Sequence, residues 1–107
     1  MNYDVIVSEQ AKRDMVQIFR YIYENLKAKQ TALNQLERLE WGIRSLDQFP
    51  YRYPVYNVEP WRSENIRIMP IDNYVVLYKP DGLEHKVKVI RVFGNRMNTD
   101  NKEETSI

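Results

Sequence analysis

Val87-Lys88-Val89-Ile90-Arg91-Val92-Phe93-Gly94-Asn95-Arg96-Met97-Asn98 is the stretch whose reading decides the fold. Its first half has the β-branched and aromatic make-up of a strand, expected from Lys86 to Phe93. Its second half is an amide-rich turn carrying a further arginine. Upstream lies another apolar strand, Asp72 to Lys79, containing Asn73-Tyr74-Val75-Val76-Leu77-Tyr78-Lys79. Pro80-Asp81-Gly82 stands between the two as turn chemistry, with Gly82 free to take positive φ. So short a link predicts a tight antiparallel hairpin. A third strand, Asn65 to Met69, precedes the pair, and Pro70 is expected to break its pairing with the next strand.

The N-terminal half reads differently. Tyr3-Asp4-Val5-Ile6-Val7 alternates as a first strand, and Ser8 follows as a helix N-cap whose hydroxyl can accept a first-turn amide. Ala11, Met15, Ile18, Phe19, Ile22 and Leu26 then trace one helical face, predicting a helix from Glu9 to Lys27. After a polar break at Lys29-Gln30, the apolar stripe Ala32, Leu33, Leu36, Leu39, Ile43 and Leu46 predicts a second helix that stops before Pro50. Gly42 costs that helix about 1 kcal/mol relative to alanine, which points to a packing requirement. Trp41 falls nearly opposite the stripe, between Arg38 and Arg44. It either meets a partner or caps the core edge. Neither helix can bury its stripe alone, so the pair should fold as a hairpin onto the sheet.

Phe49 to Ser63 is irregular, aromatic and interrupted by three prolines, which excludes a continuous helix or central strand. Tyr51 and Tyr53, alternating with Arg52, can stack on nucleotides or pin the loop to the core. The elements together define an α+β domain over residues 1–98, followed by a polar tail at 99–107 expected to fray.

Composition narrows the chemistry. With 43% hydrophobic and 29% charged residues the chain reads as a globular domain, and the absence of cysteine removes disulfides, thiolate metal sites and cysteine nucleophiles. No signal-peptide pattern opens the sequence, and no apolar run approaches the ~18 residues of a membrane helix, so a cytoplasmic protein is expected. Residues 60–98 carry a net +3 while the first 59 residues balance, so the positive excess lies with the strands. The glycines at 42, 82 and 94 are too scattered for a phosphate loop. His85, the single histidine, lies beside the hairpin turn and is expected to be solvent-exposed there rather than to serve a triad or metal site. No metal site and no cofactor are expected.

What remains is arginine on strands. Arg67 and Arg91 each interrupt apolar neighbours, and alternation gives Arg91 the parity of Val87, Val89 and Phe93, with its stem partly buried. Arg96 stands just past the strand end. Such guanidinium groups could bind phosphate or stabilise a phosphorane, or they could pair with Glu64, Asp72 or a carbonyl inside the fold.

The order strand, helical hairpin, proline-rich crossover and three strands resembles the RelE/ParE superfamily of type II toxin–antitoxin toxins. The resemblance runs from Tyr3 to about Asn98. It is carried by Ser8-Glu9-Gln10-Ala11-Lys12-Arg13-Asp14, Pro60-Trp61-Arg62-Ser63, Arg67-Ile68-Met69-Pro70-Ile71-Asp72-Asn73-Tyr74 and Ile90-Arg91-Val92-Phe93-Gly94-Asn95-Arg96. It implies a β-α-α-β-β-β fold with the helical hairpin on a small, largely antiparallel sheet. RelE-like members cleave mRNA on the ribosome, whereas ParE-like members poison DNA gyrase. RelE-like nucleases often carry an arginine after the middle-strand tyrosine, and some end in a His-Tyr pair. Here Val75 follows Tyr74 and the last strand ends Phe93-Gly94, which is closer to the ParE branch. The resemblance therefore implies a growth-inhibiting gyrase poison of an addiction or plasmid-stabilisation module, neutralised by a cognate antitoxin. Arg67, Arg91, Arg96 and Asn98 would be its target contacts, and Trp41, Tyr51, Tyr53 and Trp61 its antitoxin contacts. The alternative is a metal-free ribonuclease using Arg67, Tyr78 and Arg96 on ribosome-bound mRNA. A third reading is a degenerate toxin that retains only antitoxin binding.

Overall fold

The computed structural model describes residues 2–94. Strand β1 (Asp4–Val7) leads into helices α1 (Glu9–Leu26) and α2 (Lys29–Arg44), and two short 3₁₀ turns then lead to a long loop. Strands β2 (Arg67–Ile71), β3 (Tyr74–Asp81) and β4 (Lys86–Gly94) complete a four-stranded sheet of order β1-β4-β3-β2. β1 runs parallel to β4, and the other pairs are antiparallel.

Ser8 explains the corner between β1 and α1. Its Oγ accepts from the Ala11 amide at 3.0 Å and donates to the Ile90 carbonyl at 3.0 Å, so one side chain both caps the helix and anchors it to β4. α1 ends at Lys27, which takes the left-handed conformation (φ 50°), and α2 begins two residues later, slightly earlier than the Lys29-Gln30 break predicts. A lysine in that conformation is strained. Lys27→Gly is expected to stabilise the fold by roughly 0.5–1 kcal/mol, seen as a raised urea midpoint with an unchanged slope.

The helix-facing side of the sheet forms the main core, in which Ala11, Leu39, Leu46, Val76, Tyr78 and Val89 are fully buried. A smaller core on the other face is built by the long loop, where Tyr56, Ile66 and Leu77 are buried with Trp61, Ile68, Ile90 and Phe93 against them. The loop therefore covers the sheet face that the helices leave open. Gly42 has its packing reason: a Cβ there would overlap Ile71 Cδ1 and lie 3.2 Å from Ile71 Cγ1.

Five details depart from the sequence expectation. Pro70 does not break pairing; it lies opposite Val75 within β2, an edge strand where a missing N–H can face outward at no cost. The β3–β4 link is four residues, Gly82 to His85, since Asp81 still pairs with Lys86. Gly82 does not adopt positive φ; the Asp81 carboxylate instead accepts from the Leu83 and Glu84 amides at 3.0 and 3.1 Å, and His85 takes the positive φ (54°). His85 is half-buried, its ring stacked on Tyr3 at 5.1 Å, rather than free in solvent.

The fifth departure concerns the parity of Arg91. Tyr78 pairs with Val89 while Leu77 pairs with Arg91, so Ile90 is an extra residue forming a bulge. The bulge reverses alternation along β4. Val87 and Val89 face the helices before it, and Val92 faces them after it, while Arg91 and Phe93 take the opposite parity.

Candidate functional site

The bulge sets up a carboxylate that accepts four hydrogen bonds, that of Asp14. β1 stops at Val7, leaving the outer edge of β4 without a strand beyond Val89. The first turns of α1 take over that edge. Ser8 Oγ serves the Ile90 carbonyl, and Asp14 Oδ2 accepts from the Val92 amide at 2.9 Å. Arg91 turns to the same carboxylate, donating from Nε at 2.8 Å and from Nη2 at 3.2 Å, and Gln10 adds a bond at 3.1 Å. Asp14 is the buried charged residue among those described, at 5% exposure. Burial raises its pKa, but the bonds from Arg91, Val92 and Gln10 together with the Arg91 charge outweigh that and hold it below the usual aspartate range. The carboxylate is thus a sheet-edge acceptor and a weak proton acceptor. Beside it a cleft of about 810 Å³ opens between α1 and the β3 and β4 strands, lined by Ile18, Tyr21, Tyr74, Arg91 and Phe93.

Arg67 is committed elsewhere. It lies opposite Tyr78, donates to the Tyr51 and Tyr53 carbonyls at 3.2 and 2.5 Å, and stacks over the Tyr51 ring at 5.0 Å. It fastens the long loop to the edge of β2. Arg52 does the same for the end of the helical segment, donating to the carbonyls of Ser45, Gln48 and Phe49. Tyr78 is fully buried and donates its hydroxyl to the Pro50 carbonyl at 2.7 Å. Burial is the main cause of a phenol pKa pushed up to about 12. In this position the ring is covered and the hydroxyl is engaged by a backbone carbonyl. Arg67 and Arg91 belong to strands on either side of β3 and have separate partners; Arg96 and Asn98 lie outside the described residues.

The aromatic candidates do not share one surface either. Trp41 is 65% and Tyr51 49% exposed. Tyr53 is half-buried in the main core, and Trp61 packs on Tyr56 at 5.5 Å on the opposite face of the sheet. The surface that sequence reasoning missed is a shallow apolar groove of about 560 Å³ along the helical hairpin and the end of β1. Val7, Val16, Phe19, Leu33 and Leu36 line it, with Lys12, Glu40 and Arg44 at its margins. Val16 and Leu33 are 53% and 40% exposed although both are apolar. The signal was present: Val16 lies off the main stripe of α1, and Leu33 widens that of α2, so the apolar arc is broader than one contact requires.

The outer edge of β1 adjoins this groove. The amides of Asp4 and Ser8 turn inward to carbonyls of His85 and Val89, so by alternation those of Val5 and Val7 turn outward. The groove and the outward amides of β1 thus lie side by side on a small sheet with a helical hairpin on one face.

Solved structures share that architecture. A chain of the chromosomal ParDE TA system from P. aeruginosa superposes with a TM-score of 0.71 at 11% identity, covering 86% of this chain and 95% of that one. A chain of the RelBE2 toxin-antitoxin complex from Mycobacterium tuberculosis gives 0.62 at 18% identity, covering 88% and 92%. No curated protein matches the chain in sequence. The family model for the ParE toxin of the type II toxin-antitoxin system parDE matches residues 5–99. The chain belongs to that ParE toxin family.

Proposed function

We infer that the protein arrests growth by acting on DNA gyrase in the cytoplasm, and that a cognate antitoxin silences it. The observation that carries this reading is the ParE family match over residues 5–99. Two features of the site support it. Arg67 and Tyr78, on which a ribonuclease mechanism would draw, are consumed by bonds that hold the long loop. The hairpin groove supplies what an antitoxin needs, an apolar strip with charges of both signs at its rim, suited to an amphipathic helix. No helix among the described residues is long and apolar enough to cross a membrane.

Expression of the chain alone tests the target. Growth arrest with induction of the DNA damage response, intact mRNA and inhibition of purified gyrase is the expected result. Cleavage of mRNA at ribosome-positioned codons, lost in Arg96→Ala, would replace the gyrase reading with the ribonuclease one. Absence of any growth defect would leave a degenerate toxin.

The groove has its own test. Val16→Glu combined with Leu33→Glu places two carboxylates on partly exposed positions, so the fold should tolerate them. Rescue of growth by the adjacently encoded antitoxin should fail, with affinity at least about a hundredfold weaker while toxicity persists. Full rescue would move the antitoxin away from the groove.

A further inference from the structure

Phe49 is the least expected side chain on the surface. It is 79% exposed, and its backbone is left-handed, with φ 50° and ψ 52°. The conformation has a structural reason: the chain must reverse between the 3₁₀ turn Ser45–Asp47 and the turn Pro50–Arg52. The ring has none. Glycine or asparagine serves such a reversal with less strain, and a bulky side chain there is a genuine outlier. The other non-glycine residues with positive φ are Lys27, Asn65, Asp72 and His85, all polar.

The knuckle is also held rigidly. The Phe49 carbonyl accepts from the Arg52 amide at 3.1 Å and from Arg52 Nη1 at 3.2 Å. The next carbonyl, of Pro50, is fixed from below by buried Tyr78. Strain at an exposed aromatic, with the surrounding backbone clamped, is the pattern of a pre-organised contact rather than of a packing residue.

Its surroundings define the partner. Arg52 and Arg67 direct donors to carbonyls and a hydroxyl, and neither forms an ion pair with a described carboxylate. Arg52 and Arg67 stand against one acid, Asp47, over residues 45–53 and Arg67. An exposed phenyl ring whose own backbone carbonyl is held by the Arg52 guanidinium fits a protein surface with an apolar pocket rimmed by carboxylates.

We propose that Phe49 is the anchor by which this toxin engages its protein target, on a surface separate from the antitoxin groove. The inference rests on the toxin reading but not on which target the toxin has. Phe49→Gly and Phe49→Asn remove the ring and relieve the strain. Both should raise the urea midpoint, with the folded-to-unfolded ratio increasing roughly fivefold for glycine. Both should lose growth arrest in cells that express the chain alone. Lys27→Gly, which relieves the same strain elsewhere, should leave arrest intact.

Growth arrest unchanged in Phe49→Gly overturns the proposal, as does a loss of arrest accompanied by a lowered midpoint. Wild-type arrest without gyrase inhibition defeats the gyrase reading, while the Phe49 variants still decide this one. No arrest by the wild type defeats both.

Discussion

Asp14→Ala is expected to destabilise the domain by about 3 kcal/mol, measured as a fall in the urea midpoint. The magnitude follows from what the substitution leaves behind. The Val92 amide is buried at a sheet edge that β1 does not reach, and without Asp14 it has no acceptor. Arg91 loses its ion pair, but its side chain is 39% exposed and water can take up part of the loss, which keeps the figure at the lower end for a broken pair. Asp14→Asn keeps one acceptor oxygen and should cost less, about 1–2 kcal/mol.

The same pair predicts a pH dependence. Asp14 titrates in the folded state below its ordinary value of 3.8, so between the two values the unfolded chain binds more protons than the folded one. The stabilisation is complete above the ordinary aspartate range and drains away as pH falls through the folded value. The stability gap between wild type and Asp14→Asn should therefore be flat at neutral pH and narrow below about pH 4. A gap that stayed constant into strong acid would show that Asp14 acts through shape alone.

Tyr78→Ala should cost more, about 3–5 kcal/mol, because it empties the largest fully buried site in the core and frees the loop at Pro50. Tyr78→Phe isolates the hydroxyl. It keeps the ring and leaves the Pro50 carbonyl without its donor, for a loss of about 1–2 kcal/mol in urea unfolding. Growth arrest per folded molecule should survive the phenylalanine variant. Its disappearance with folding intact would return Tyr78 to a chemical role and revive the ribonuclease reading.

Much of the architecture was legible because it rests on local patterns. Ser8 before an apolar series at helical spacing marks the start of α1, and the Ser8 hydroxyl does cap it. The stripes of the two helices and the β-branched run before Gly94 follow from periods of 3.6 and 2, which neighbouring residues alone impose. The turn after β3 falls at Gly82 to His85, beyond the Pro80-Asp81-Gly82 that its composition suggests, because Pro80 and Asp81 still pair with β4. Asp81 also captures two amides, which removes the need for positive φ at Gly82.

The site was legible only in part. Arg67 and Arg91 are conspicuous in the sequence as charges among apolar neighbours, but their partners lie 14 to 77 positions away. No local rule indicates that Arg67 would meet the backbone of a loop, or that Arg91 would meet the first turns of α1. The hairpin groove was invisible for the same reason, since it belongs to two helices and a strand end jointly.

By itself, then, the order of residues determined the elements, their sequence along the chain and the surplus of positive charge on the strands. Only tertiary structure decided what that charge does. The bulge at Ile90 reversed the parity of β4, the early end of β1 left an edge for Asp14 to satisfy, and the loop consumed Arg67. Periodicity is a property of neighbours in sequence, whereas the fate of a charge depends on which distant acceptors folding brings within 3 Å of it. Phe49 shows both sides: the sequence supplies the ring, and the fold alone turns it outward.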